Sequence, residues 1–234
     1  FAALTYLPPS WDTPEAYFRT NTEGTLNFLK NSSMFRRFIY ISTSHVYGNQ
    51  PRTPIEITDT PLPNDPYSVS KRAAELLVRI YSERYGFDSL IIRPFNNFGP
   101  RQSSHFVIPT MCLQAIQKKK ITLQSNTRRE FIYCKDTARI VHLLLQAGAT
   151  GTVQIARGVS YQIYDIAALI ATYTQVDRID VANAPRPNDI ECLEGSRKSL
   201  DYWLRDFEFT PVEQAVGETV DWYRAVSLSV LLFA

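Results

Sequence analysis

The chain has 234 residues, 44% of them hydrophobic and 21% charged, with a formal net charge of +2. That length builds one large domain, or one domain with a smaller lobe, and so even a charge offers no field to nucleic acid or to a membrane surface. The three cysteines, Cys112, Cys134 and Cys192, are far apart, with no CxxC and no histidine pair beside them, which excludes structural zinc and a disulfide framework and points to reduced thiols in the cytoplasm.

In chain order, Thr13 and Pro14 open a predicted helix over 14–31, with Tyr17, Asn21, Leu26 and Leu29 near helical spacing. "RRFIYIS", 36–42, reads as a buried strand and 49–65 as a loop. The spacing predicts a long helix over 67–85, stopped by Gly86, and a second buried strand over 89–94 followed by the turn "NNFGP". A helix over 106–118 ends in Lys118-Lys119-Lys120, a solvated helix end. Strands at "ITLQ" and "EFIYC", a helix over 136–147, a strand over 152–156 and a helix over 161–173 come next. Helices near 198–205 and over 211–225 finish the pattern, and the apolar tail "SLSVLLFA" is too short to span a bilayer. Strands alternating with helices predict an α/β fold with a mainly parallel sheet.

Within this frame "PYSVSK" sets Tyr67 four residues before Lys71. On a helix that spacing puts both side chains on one face, about 6 Å apart along the axis. An ammonium there favours the phenolate, and such a tyrosine serves as a general acid or base. Taken alone the pair is also what an ordinary helix face carries. Two strand ends flank this helix. "ISTSHVYG" offers Ser42, Thr43 and Ser44, and "IIRPFNNFGP" offers Asn96 and Asn97. Ligands of open α/β sheets sit at such ends, although a serine/threonine turn after a strand needs no ligand.

The motifs "STSHVYG", "YSVSK", "RPFNNFGP", "RREFIYCKDTAR" and "RPND", in this order, resemble the extended short-chain dehydrogenase/reductases that act on nucleotide sugars: the NAD-dependent epimerases, 4,6-dehydratases and related decarboxylases. The resemblance covers residues 1 to about 225. It implies a Rossmann-like sheet with the catalytic helix over 1–100 and a mixed α/β substrate lobe over 101–225, some of whose segments return to the sheet. Residues 226–234 stay unassigned. It implies that Tyr67 takes the proton of the sugar C4 hydroxyl, that Lys71 holds the nicotinamide ribose and depresses the tyrosine, and that Thr43 bonds the C4 oxygen. Ala2, Ala3, Ser42 and Pro94 would line the cofactor. Ser44, Asn96, Arg129 and Arg186 would hold the sugar nucleotide, a planar guanidinium suiting its diphosphate. The implied cofactor is NAD, with NADP not excluded. The implied partners are a nucleotide-diphosphate sugar and, through the helices at 14–31 and 67–85, a second copy of the chain. No metal, nucleic acid or membrane is implied.

The chain departs from that family in several places. None of its nine glycines builds the glycine-rich dinucleotide loop, and it opens on "FAALTYLPP" without a methionine, so it is expected to be an inactive fragment of the enzyme. His45 stands where dehydratases carry a glutamate base, and it reads equally as a base near neutral pH and as a loop residue. Gln154 and Ala156 stand where the family has asparagine and glycine. His105 and His142 read as structural, and Asn21 matches an asparagine that supports the site's backbone. A reductase or decarboxylase on the same scaffold, and a non-catalytic binding relative, stay open beside the epimerase/dehydratase reading.

Overall fold

A computed structural model describes residues 3–31, 36–182 and 190–232 of the chain. Ala2 and Arg186 lie outside the described residues. The first helical stretch is α1 (Pro14–Tyr17), a wider π-helical turn (Phe18–Glu23) and α2 (Gly24–Leu29). Pro14 takes the first helical position, as expected. Thr13 does not cap the helix, because its hydroxyl donates to the Pro9 carbonyl instead (3.1 Å). The π turn carries the buried Asn21, whose amide bonds both the N–H and the C=O of Leu4 and the Ser70 hydroxyl, each at 3.0 Å. One side chain thus ties the segment at 3–7 to the helix of Tyr67.

Strands β1 (Arg37–Ile41), β2 (Asp88–Pro94) and β7 (Gly151–Ile155) form a parallel sheet in the order β1-β2-β7. Helix α3 (Pro66–Tyr85) is the crossover between β1 and β2. Its start is fixed by a capping box. The Asp65 carboxylate accepts from the Ser68 N–H (2.8 Å) and Pro66 follows the cap. Gly86 ends it with φ +71°, a conformation a side chain resists. Side chains of β2 alternate between two cores. Ile91 packs with Leu29, Tyr40, Ala74 and Val78. Leu90 and Ile92 pack with Val153, Ile155 and with Ile140 and Leu144 of α5 (Cys134–Gln146). Burial on both faces is why these strands read as unbroken apolar runs.

The second lobe has its own core. Helices α4 (Val107–Lys118), α6 (Ile163–Thr174) and α8 (Val212–Leu232) bring Ile108, Met111, Ile166, Ile170, Val216 and Val220 against Ile121 and Leu123 of β4 (Ile121–Leu123). Strand β4 pairs in parallel with β9 (Ile179–Val181). At the junction of the lobes β3 (Asn96–Phe98) pairs in parallel with β6 (Phe131–Tyr133), so part of the expected turn "NNFGP" is strand. A small sheet of β10 (Cys192–Leu193), β5 (Arg128–Arg129) and β8 (Tyr161–Gln162) lies nearby. Pairing in β8 delays α6 by two residues relative to the expected start. Near the end only α7 (Lys198–Asp201) is helical of the stretch expected at 198–205, while Trp203 and Leu204 turn onto the first lobe's core. The last helix continues past residue 225, to Leu232. Among the described residues no helix is long and apolar enough to cross a membrane.

Candidate active site

A cavity of about 760 Å³ opens where β1 and β2 end and α3 begins, lined by Ala3, Thr5, Ser42, Thr43, Ser44, His45, Tyr67, Lys71, Pro94 and Asn96 among others. Of the ten candidates within the described residues, nine line this cavity, and eight of them come from two strand ends and the start of one helix. The parallel sheet forces this, since both strands run the same way and end on the same edge.

Tyr67 is 6% exposed, one residue inside the capped end of α3. The Thr43 side chain hydrogen-bonds it and draws its pKa down, but burial dominates and pushes the phenol up to about 12, with Asp65 and Tyr17 adding to the rise. The Tyr17 ring packs edge-on against it at 6.3 Å. Thr43 has extended backbone, and its hydroxyl also accepts the His45 N–H (3.2 Å). The hydroxyl is therefore fixed by the same turn that follows β1.

Lys71 is tied to β1. Its ammonium donates to the Ile41 carbonyl (2.6 Å) and sits 4.3 Å above the Tyr40 ring. Burial lowers its pKa to about 8, against the opposing pull of Glu75. The expected depression of the tyrosine by the lysine is replaced here by the Thr43 hydroxyl, because β1 offers the long side chain a carbonyl and an aromatic face.

The Ser44 hydroxyl is buried and has no hydrogen-bond partner among the described residues. Ser42 donates its N–H to the Ile92 carbonyl (2.7 Å), and its side chain lies against Glu75. Asn96 donates its amide to the Glu130 carbonyl (3.0 Å), which locks its orientation on the cavity wall. The His45 ring stands 6.3 Å from the Tyr67 ring. Ala3 and Pro94 line the cavity. Arg129, on β5, is outside the cavity lining and donates to the Arg128 carbonyl (2.8 Å). His105, expected as structural, stacks on Tyr6 at 5.5 Å.

The residue that sequence reasoning missed is Glu75. It lies four residues past Lys71, is fully buried, and receives both Arg93 nitrogens (2.9 and 2.8 Å) and Arg72 (2.7 Å). Arg93 continues to the Tyr47 hydroxyl (3.0 Å), which donates to the Gln154 amide oxygen (3.0 Å). The Gln154 amide nitrogen then donates to the carbonyls of Ile55 (2.9 Å) and Ser196 (2.6 Å). Gln154 is thus the far end of a buried network that begins on the helix of Tyr67.

The model of the NAD dependent epimerase/dehydratase family matches residues 1–163. The chain is 31% identical to a dTDP-glucose 4,6-dehydratase of Streptomyces niveus, over 96% of this chain and 68% of that protein. It is 34% identical to a GDP-6-deoxy-D-mannose reductase of Pseudomonas aeruginosa, over 75% of this chain and 62% of that one. Against the solved UDP-glucose 4-epimerase of Thermus thermophilus, in complex with NAD, the TM-score is 0.85 at 25% identity, covering 95% of this chain and 76% of the other. The chain thus spans roughly two thirds of the length of these two sequence relatives.

Proposed function

Since the chain belongs to the NAD-dependent epimerase/dehydratase family, we propose that it acts on a nucleotide-diphosphate sugar through a transient 4-keto sugar, as an epimerase or dehydratase. The observation that carries this reading is the buried Tyr67, bonded by Thr43 and one helical turn before Lys71 on a cavity wall.

The residues present fit the nicotinamide-ribose end of NAD. Ala3 and Pro94 give that wall small, flat surfaces, and Lys71 gives it a buried amine in reach of hydroxyls. Bound there, NAD supplies the hydride acceptor for the sugar and the donor that restores it. The chain's own groups manage the proton. Thr43 holds the sugar C4 oxygen, and Tyr67 takes the proton of its hydroxyl. That transfer is the demanding step, because burial holds the phenol near 12. Positive charge brought to this wall moves it into working range, and Lys71, bonded to the Ile41 carbonyl in this structure, is the chain's own source once it turns to the ribose hydroxyls. Ser44, with its unpartnered hydroxyl, and Asn96 meet the substrate. Arg129, from β5 outside the cavity lining, takes the diphosphate, and Arg186 is given the same role on the family resemblance alone. His45, whose ring stands 6.3 Å from that of Tyr67, serves as a second base. The likeness to a GDP-6-deoxy-D-mannose reductase supports a second reading, reduction of a keto sugar by the same tyrosine acting as acid, with NADP as the alternative cofactor.

We place the protein in the cytoplasm, a reading supported by its three unpaired cysteines. We also infer a homodimer, supported by the apolar stripe that Val69, Leu76 and Ile80 leave exposed on α3. The test of the activity is Tyr67→Phe made in the whole open reading frame that contains this chain, assayed with NAD and a panel of dTDP-, UDP- and GDP-linked hexoses. Loss of turnover by about 10²–10⁴-fold is expected, and turnover that survives the change overturns the tyrosine mechanism.

A further inference from the structure

Tyr67, Lys71 and Glu75 follow one another at four-residue steps on α3, and all three are buried, at 6%, 4% and 0% exposure. The first two line the cavity, whereas Glu75 does not. Its carboxylate is saturated by Arg93 from β2 and Arg72 from its own helix. A buried ion pair of this kind is no requirement of stability, since apolar residues of the same volume commonly do as well. Its place one turn beyond Lys71 asks for another account.

An amine with 4% exposure sheds its proton unless something opposes the loss of solvent. The Ile41 carbonyl (2.6 Å) and the Tyr40 ring (4.3 Å) offer Lys71 only partial negative charge. Of the titratable or charged groups on the elements packed around it, those at this wall or one turn beyond it are Tyr67, Arg72 and Glu75 on α3, Tyr40 on β1, Arg93 on β2 and His45 on the turn after β1. From α1 and α2 the nearest contributions to this wall are Tyr17 against Tyr67 and the neutral Thr25. Glu75 is the one carboxylate among these groups. Arg93 is drawn toward Tyr47 as well, with its guanidinium 4.9 Å from that ring, so the cation of the pair is held on the side of the Ser44–Tyr47 turn.

We propose that Glu75 is a positioning residue, whose role is to keep Lys71 an ammonium at the cavity wall, with Arg93 fixing the carboxylate in place. Glu75 touches neither substrate nor cofactor. It acts only through Lys71, whose pKa it raises against the effect of burial. The inference takes the importance of a charged Lys71 from the function proposed above.

The test is a titration of Lys71 in the full chain carrying ¹³C-labelled lysine, followed by NMR and assigned with Lys71→Met. In Glu75→Gln the midpoint is expected to fall by about one unit, a tenfold change in the protonation equilibrium. Glu75→Asp, which keeps the charge, is expected to recover most of it. An unchanged midpoint in folded Glu75→Gln overturns the proposal. Should that variant fail to fold, Glu75→Gln with Arg93→Gln removes both ions and leaves neither buried alone. A smaller fall is expected there, because the lost guanidinium offsets part of the lost carboxylate, and its absence is equally fatal. No turnover is needed, so a Lys71 that responds as expected in a chain whose activity ignores Tyr67→Phe separates this inference from the reaction assigned to the site.

Discussion

Gly195 shows how a single residue type is dictated from a distance. A Cβ placed on it would run into the Phe95 ring and come within 2.7 Å of the Ala156 Cβ. Ala156 was read from the sequence as a departure from the family resemblance, and its methyl is accommodated because the residue facing it has none. Gly195→Ala is therefore expected to destabilise the fold by about 1–3 kcal/mol through overpacking, read from the urea midpoint. Adding Ala156→Gly removes one of the two collisions, so the double variant should recover part of the loss. Simple addition of the two effects would show that the pair is not coupled. At this scale the legibility of the site was uneven. Tyr67, Lys71, Thr43 and Asn96 could be found because their motifs state their chemistry. Glu75 could not, although the four-residue step past Lys71 was in plain view, because a carboxylate on a helix ordinarily faces water. Gln154 was noticed as a departure, but its bonds to Tyr47, Ile55 and Ser196 join segments remote in sequence.

Helix α3 serves three surfaces at once. One face carries the Tyr67–Lys71–Glu75 ladder, and another packs Ala74 and Val78 under the sheet. The remaining face leaves Val69, Leu76 and Ile80 exposed at 37%, 41% and 59%, in line at helical spacing, and Phe28 of α2 is exposed at 67%. An apolar stripe beside solvated Arg79 and Glu83 fits self-complementary packing of a second copy across a twofold axis. In light scattering the chain is expected to show twice its own mass, and Leu76→Glu with Ile80→Glu is expected to halve that value while leaving circular dichroism unchanged. A wild-type chain of single mass removes the dimer. Elements of this length were legible because their apolar period repeats several times. Strands β5, β8 and β10 were not, since two residues carry no period. The sequence at 161–162 was expected to be helical for the same reason. Its pairing with Arg128 and Arg129 is a tertiary choice. The π turn at Phe18–Glu23 was hidden too, because its sequence is ordinary helix and its ties are tertiary, from Asn21 to the Leu4 backbone and the Ser70 hydroxyl and from Thr22 to the Ser70 carbonyl.

The two lobes meet at Glu130. It separates β5 from β6, its carbonyl orients Asn96, and its carboxylate gathers three main-chain N–H groups from two other loops: Arg157 and Gly158 (3.2 Å) after β7, and Gly195 (2.7 Å) after β10. Three such donors favour the ionised form, yet the site is fully buried, and burial prevails, pushing the carboxyl up to about 7. A folded-state pKa above the ordinary 4.5 means that the protonated carboxyl is the form the fold prefers. Its contribution to stability is complete below about 4.5 and is lost as the pH rises through 7. On this account the melting temperature declines between pH 5 and pH 7.5, by at most on the order of 3 kcal/mol of stability. Glu130→Gln, which cannot ionise, should flatten that decline. It should also lower stability throughout, because its NH₂ faces a main-chain donor where the carboxylate offered an acceptor. Thermal melts of both proteins across this range decide the matter. If the variant keeps the full slope, the pH dependence belongs to other groups and the three N–H donors hold Glu130 ionised. If the slope goes with the residue, one carboxyl at the junction sets how firmly the second lobe is joined to the lobe that carries Tyr67.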